Sequence, residues 1–419
     1  MNDATKDALT SNRLCGMLHL LGTEQVQALL NQQVSGRTKW RVSNLHLLWV
    51  IVGFGLFAGK SYRNLFRLTT GGITPPTRAA ICAARKRLSA ETLQQIHDAV
   101  VGWIATPKKC PRAFYKGLRL VGIDGTLLDC FDSDANRGHF HRPTNQSGHG
   151  AFPKLRLVAL CELGTRVLYR SVIGTYHDCE RVLADRLLRH LSPKCLLLGD
   201  RHFGVAPIIC RLIDDEVPFL IRVKKGHVFP VEKQLADGSY LSTIYLGKND
   251  RVCKRPGKRV RVIRYTFDDP ARSGHGEEHV LVTSLLCPKR YPAKELICLY
   301  HERWEEEIAF GEMKQTLHGG RVLRSQSPEM TRQEIWGLLL AHFVIRKLAY
   351  RAAIKNKVEP SRISFTATIN VVHLQLAEAP SGRGPQSRLM KQWLAVTIDA
   401  IRLELLPPRR QRKRPAKAF

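Results

Sequence analysis

Apolar residues recur at helical spacing from residue 13 to about residue 110, so this part of the chain is expected to be helical. Within it, Leu45 to Gly59 is an apolar run of about fifteen residues broken only by His46; a membrane span needs about twenty, so a buried helix is expected. Thr74-Pro75-Pro76-Thr77 reads as a turn and a helix cap, and Ser89 as the cap of the next helix. Between them, Arg78 to Leu88 carries Arg78, Arg85, Lys86 and Arg87. A short basic helix after a tight turn suits docking in a DNA groove, and it equally suits a solvated surface.

From about residue 117 the texture changes. Leu118 to Leu128, Leu155 to Cys161 and Arg166 to Ile173 have strand character, and Asp178 to Leu191 has helical spacing. Cys195 to Gly199 is short and wholly apolar, as a central buried strand would be, and it ends at Asp200. A helix over Val205 to Asp214 and a strand over Pro218 to Val223 continue the alternation, which predicts a mixed α/β fold. Residues 224 to about 288 interrupt it and read as a β-rich insertion; Arg251 to Arg264 there holds seven basic residues and no acid. A long helix is expected from about Pro292 to Leu317, stopped by Gly319 and Gly320. Helices then run to about 350, and a basic, Pro-rich tail closes the chain from Pro407 to Phe419. The expected organisation is a helical N-terminal DNA-binding domain over 1–112, a catalytic domain over 113–350 with its insertion at about 224–288, and a C-terminal helical region and tail over 351–419.

The formal net charge of +30 and a pI near 10.1 narrow the partners. That much positive charge argues for a polyanion, with DNA, RNA and acidic membrane surfaces all admissible at this step. The 11 cysteines form no C-x-x-C pair and Met1 to Asn12 is polar, so no secretory leader and a reduced, cytoplasmic setting are expected. No membrane anchor is expected.

The chemistry concentrates in the helix from Tyr300 to Lys314, which offers five glutamates at 302, 305, 306, 307 and 312. At about 100° per residue, Tyr300, Arg303, Glu307 and Lys314 fall in a stripe about 60° wide and about 21 Å long, with Trp304 near its edge. The other glutamates are expected to point away, leaving Glu307 as the one acid beside a phenol, a guanidinium and an ammonium. A helix of solvated charges is the usual reading of such a run; phosphate-binding groups around a single acid argue instead for a site that holds a backbone phosphate beside a metal ligand. Asp124 lies in a hydrophobic strand with Thr126 on its face, and Asp200 ends the buried strand and is followed by Arg201. Either acid alone is as well read as structural. Together with Glu307 they form a hard-oxygen set suited to Mg²⁺, with Mn²⁺ as a substitute.

The spacing Tyr300-x2-Arg303-x3-Glu307-x6-Lys314 resembles the Y-R-E-K signature of insertion-sequence transposases of the "IS-four" family. Ile123-Asp124-Gly125-Thr126 is similar to their first catalytic Asp segment, and Leu198-Gly199-Asp200-Arg201 to their second. The resemblance covers roughly residues 15 to 350. One departure is His202-Phe203-Gly204, expected to leave the metal site untouched. The resemblance implies an RNase H-like catalytic core and metal-dependent DNA cleavage and strand transfer. Asp124, Asp200 and Glu307 would be catalytic and metal-binding, and a homodimer would assemble on paired double-stranded DNA ends. It also implies DNA-gripping roles for Tyr300, Arg303 and Lys314, with Arg201 beside them. Trp304 has two readings, stacking on an unpaired base or packing in the core.

His139, His141 and His149 close no zinc site, and no G-x-S-x-G elbow or P-loop is present. A DNA-binding descendant that no longer cuts is the competing reading. A stand-alone RNase H-like nuclease would give no reason for the Y-R-E-K face or the basic insertion.

Overall fold

The computed structural model describes residues 20–32, 42–70, 74–145, 148–253, 256–267, 276–380, 387–408 and 416–418. Helices α1 (Thr23–Gln32), α2 (Asn44–Leu56), α3 (Tyr62–Thr70), α4 (Arg78–Arg85) and α5 (Ala90–Val100) precede the sheet. The apolar run forms α2, buried at every position from Leu45 to Leu56 and capped by the Ser43 hydroxyl. It lies against the long helix Pro328–Lys355, where a Cβ at Gly337 would collide with the Ile51 carbonyl, so only glycine lets the backbones approach this closely. Thr77 and Ser89 cap α4 and α5 through the amides of Ala80 and Thr92, as expected.

The basic helix α4 departs from the groove-docking picture. Arg85 is fully buried and donates to Gln333 Oε1 (3.0 Å), the Tyr62 hydroxyl (2.8 Å) and the Met330 carbonyl (2.9 Å). It ties α4 to the C-terminal half of the chain, leaving Arg78 and Lys86 exposed. Arg85→Ala would leave one buried and two half-buried acceptors unpaired, so a loss of about 3 kcal/mol in a denaturant melt is expected; an unchanged midpoint would show that the tie is idle.

Strand β1 (Leu118–Asp129) runs antiparallel to β2 (Lys154–Glu162), which pairs with β3 (Val167–Thr175). On the other side of β1, strands β4 (Cys195–Gly199) and β5 (Phe219–Arg222) run parallel to it. Helices α6 (Glu180–Leu188) and α7 (Ala206–Asp214) make the crossovers into β4 and β5. Strands β6 (Lys233–Gln234), β7 (Tyr240–Ile244), β8 (Lys258–Phe267) and β9 (His279–Thr283) come from the insertion. The order β3-β2-β1-β4-β5-β9-β8-β7-β6 makes one mixed sheet. The insertion's strands therefore extend the central sheet from β5 through β9 and form no separate sheet among the described residues; they cover the edge of β5, whose backbone groups would otherwise lack partners.

Part of the insertion's positive charge is spent on the fold. Arg261 is fully buried and pairs with Asp237, Lys258 pairs with Asp214, and Arg264 with Glu278. Arg259 remains exposed. Lys254 and Arg255, and nearly all of the basic tail after Pro408, lie outside the described residues.

The sheet is covered on both faces. Val121, Ile123, Leu197 and Ile221 join the core under α6 and α7. Leu120, Leu128, Leu196 and Leu198 join a larger core that includes residues of α2, α5 and the helices α8 (Ala293–Tyr300), α9 (Trp304–Gly311), α10 (Pro328–Lys355), α11 (Phe365–Ala377) and α12 (Arg388–Ile401). No helix among the described residues is long and apolar enough to cross a membrane.

Candidate active site

The register of β1 and β4 is the foundation of the site. Ile123 pairs with Gly199, so Asp124 and Asp200 follow one residue later on adjacent parallel strands, roughly 5 Å apart in the backbone. Asp124 Oδ1 accepts from the Gly125 amide at 2.8 Å, and Asp200 Oδ1 from the His202 amide at 2.8 Å. The unusual His202 thus does meet the site, through a backbone group that any residue but proline supplies. Arg201 is exposed in the turn beside it.

Burial pushes the Asp124 carboxyl up to about 6, and the charges of Asp200 and Glu180 push the same way against the Gly125 amide and Arg303. A carboxyl destabilised chiefly by burial, and further by neighbouring acids, gains from a cation at its oxygens.

The expected single helix over this region is a path of changing pitch. After α8, His301–Arg303 is a 3₁₀ turn; α9 follows, and Glu312–Leu317 is a π-helix ended by Gly319 and Gly320 at φ 70° and 63°. Tyr300, Arg303 and Lys314 still reach β1 and β4, and Glu307 joins them through Arg303. Tyr300 is buried and its hydroxyl donates to the Gly199 carbonyl at 3.3 Å. Burial pushes that phenol up to about 12. Arg303 Nη1 is 3.6 Å from Asp124 Oδ2, and Nη2 is 2.6 Å from Glu307 Oε1. Lys314 Nζ donates to Thr126 Oγ1 at 2.9 Å, and burial lowers its pKa. Trp304 is 52% exposed with Arg303 over its ring at 5.6 Å. That removes the core-packing reading and leaves the ring open to a partner.

The other glutamates do not all point away. Glu305 and Glu312 pair with the buried Arg166 at 2.7 Å each. Glu306 is fully buried and forms no ion pair among the described residues, and burial and the Asp124 charge raise its pKa well above the usual range. It fits over Gly122, where a Cβ would overlap its carboxyl, on the same face of β1 as Asp124. On the opposite face, Glu180 occupies the space that a side chain at Gly125 would need. Sequence reasoning missed both acids. The glycines flanking Ile123-Asp124 are the signal: glycine inside a strand often marks a close approach on that face.

No three or more His, Cys, Asp or Glu side chains converge as a ready ligand set among the described residues. Arg303 holds Glu307 and leans on Asp124. The donor chemistry nonetheless fits a hard divalent cation: oxygen ligands only, a pair of adjacent aspartates, and acids whose mutual charge is unfavourable without one.

Comparison with known proteins bears on the family. The "Transposase DDE domain" family model matches residues 115–344. The Escherichia coli (strain K12) protein "Transposase InsG for insertion sequence element IS4" is 27% identical over an alignment of 383 residues that covers 88% of this chain and 83% of the relative. A solved structure, a cryo-EM piggyBac transposase synaptic complex with hairpin DNA, aligns with 96% of this chain and 87% of its own, at a TM-score of 0.48 and 12% identity. With its model spanning more than half of the sequence, the transposase DDE domain family is the one to which this chain belongs.

Proposed function

We propose that this chain is a cut-and-paste transposase, which binds the ends of its own insertion sequence, cleaves the strands and joins them to target DNA. The supporting observation is convergence: Lys314 and Thr126, 188 residues apart in sequence, are hydrogen-bonded within the same cluster that holds Arg303, Asp124 and Glu307. The order β3-β2-β1-β4-β5, with α6 and α7 as crossovers, is read as an RNase H-like core into which 224–288 is inserted. In this reading the helices up to residue 112 serve end recognition, 113–350 the chemistry, and 351–419 additional grip. Two ends brought together call for two active sites, hence a homodimer on DNA.

Asp124, Asp200 and Glu307 would hold Mg²⁺ or Mn²⁺, which when bound supplies an acidified water or 3′-hydroxyl and stabilises the leaving oxygen. The remaining work falls to the chain itself. Arg303 releases Glu307 when a backbone phosphate takes its guanidinium in a bidentate pair. Lys314 and Arg201 hold neighbouring phosphates, Tyr300 braces the Asp200 turn, and the exposed Trp304 ring stacks on an unpaired base.

Incubation with the element's own ends should give cuts in Mg²⁺ and none in EDTA. Glu307→Gln should abolish cutting, whereas Glu302→Gln should retain most of it. Cutting that persists in EDTA would sink the carboxylate mechanism. The competing reading, an end-binding protein that no longer cuts, draws on the Arg303 bridge and the unconverged acids; tight end binding with no cleavage in Mg²⁺ would select it.

A further inference from the structure

A second basic site lies away from the carboxylates. Trp103 and Ile104, in the segment after α5, and Lys109 face Lys347, Tyr350 and Arg351 of α10 across a cavity of about 380 Å³. Lys347 and Arg351 are one helical turn apart, a spacing at which like charges destabilise a helix. Burial and the neighbouring Arg351 charge push Lys347 down to about 8, and burial lowers Arg351 as well. No ion pair joins Lys109, Lys347 or Arg351 to an acid among the described residues; Lys347 Nζ donates to the Leu20 carbonyl at 2.5 Å.

Three neighbours define what the cavity can take. Tyr350 is only 8% exposed, and its hydroxyl lies beside Thr106 at the cavity wall. Glu162, the acid near this hydroxyl, is already committed to Arg119, the Ile104 and Ala105 amides and the Thr165 hydroxyl. Trp103 offers little ring face to a base, because Tyr169 stacks on it at 3.7 Å and Arg119 lies over it at 5.3 Å. Such a cavity recognises charge and hydrogen-bond acceptors and does not read bases by stacking.

We propose that the cavity between Trp103 and α10 binds a phosphate group of a DNA strand, through Lys347, Arg351, Lys109 and the Tyr350 hydroxyl. An anion there would accept from the buried hydroxyl and neutralise two half-buried cations, each otherwise costly to keep charged. Arg119, whose Nη1 donates to the Ala105 carbonyl behind the cavity at 3.2 Å, precedes Asp124 by five residues on β1. That is about 16 Å along the strand, so this phosphate is distinct from the one undergoing cleavage. The inference rests on the proposed action on DNA.

The test is equilibrium binding of the full chain to duplex element ends across a salt series, for the parent and Lys347→Gln/Arg351→Gln. The double variant should bind about five- to tenfold more weakly, with a log–log salt slope smaller by about one. Lys347→Arg, which keeps the charge, should retain the parent slope. Melting of the double variant at or above the parent temperature establishes that it is folded. Equal affinity and slope in a folded double variant would overturn the pocket assignment while leaving the transposase reading intact. Absence of salt-dependent binding in the parent would defeat that reading itself. Titration with inorganic phosphate separates the sources: saturation in the parent but not in the double variant, with an unchanged DNA slope, would make this a free-anion site and overturn the proposal.

Discussion

Asp124→Asn should yield a protein that melts slightly above its parent at pH 7, retains DNA-end binding and fails to cleave. The stability half follows from the raised carboxyl. Its folded-state pKa of about 6 lies above the ordinary 3.8, so the folded chain binds the proton more tightly than the unfolded chain. The resulting stabilisation is complete below about pH 4 and is lost as pH rises through about 6. At neutral pH the charged group is a liability of about 2 kcal/mol at most, because partial exposure to water screens it. Asparagine removes it while keeping an oxygen for the Gly125 amide, so the melting temperature should rise by roughly 2–4 °C at pH 7. Below about pH 4 parent and variant should melt alike. Millimolar Mg²⁺ should raise the parent's melting temperature more than the variant's, since a ligand stabilises the state that binds it. Cleavage should fall by roughly a thousandfold or more, the effect of losing several kcal/mol of transition-state stabilisation. Asp200→Asn should lose cleavage in the same way, with the His202 amide still satisfied. Melts over pH 3–8 and cleavage assays on both variants decide the matter. Strong destabilisation at pH 7 would mark the aspartates as structural acids.

Glu312→Gln should have the opposite signature, a large loss of stability. Glu312 opens the π-helix that carries Lys314 and is almost wholly buried between Arg166 and the α10 residues His342 and Arg346. Burial pushes its carboxyl up, but Arg346, His342 and Arg166 outweigh that and hold it at about 2. Removing the charge leaves two buried guanidiniums without their shared partner, which costs about 3–5 kcal/mol. Arg166 would suffer further, since its φ of 60° is a left-handed conformation that a non-glycine residue adopts only under constraint. The pH dependence is distinctive. A folded pKa below the ordinary 4.5 gives stability that is present above about pH 4.5 and lost as pH falls towards 2. The parent should therefore have a steep acid limb that the variant lacks. A variant with the parent's acid limb and midpoint would show that the network does not hold the helix. Because the same acid anchors the turn before Lys314, residual cleavage by folded Glu312→Gln should fall more than its DNA binding.

The elements of the fold were legible in local pattern because their periods were strong. The unbroken apolar run over Cys195–Gly199 could be satisfied only where both faces of a strand are covered, and that is where β4 lies. The run over Leu45–Gly59 had one stable soluble outcome, a helix buried all round. Ser89, Thr77 and the glycines at 319 and 320 announced helix ends because capping is a local hydrogen-bonding and backbone problem. The family resemblance carried by Tyr300, Arg303, Glu307 and Lys314, with the two Asp segments, is borne out at the level of the family.

What sequence by itself determined about this protein is thus whatever depends on neighbours within about one turn or one strand: element types, caps, the aspartates at strand positions, and the spacing of a four-residue signature. Only the tertiary structure decided how charges were spent. Arg85 and Arg261, which add to the basic count like any other arginine, are fully buried and paired across long sequence distances. Glu306, one residue from the signature glutamate, is a buried acid without a cation partner among the described residues, packed against β1 where Gly122 leaves room for it. A side chain's charge is written in the sequence, but the free energy of that charge depends on burial and on partners brought from far along the chain. No local pattern encodes those.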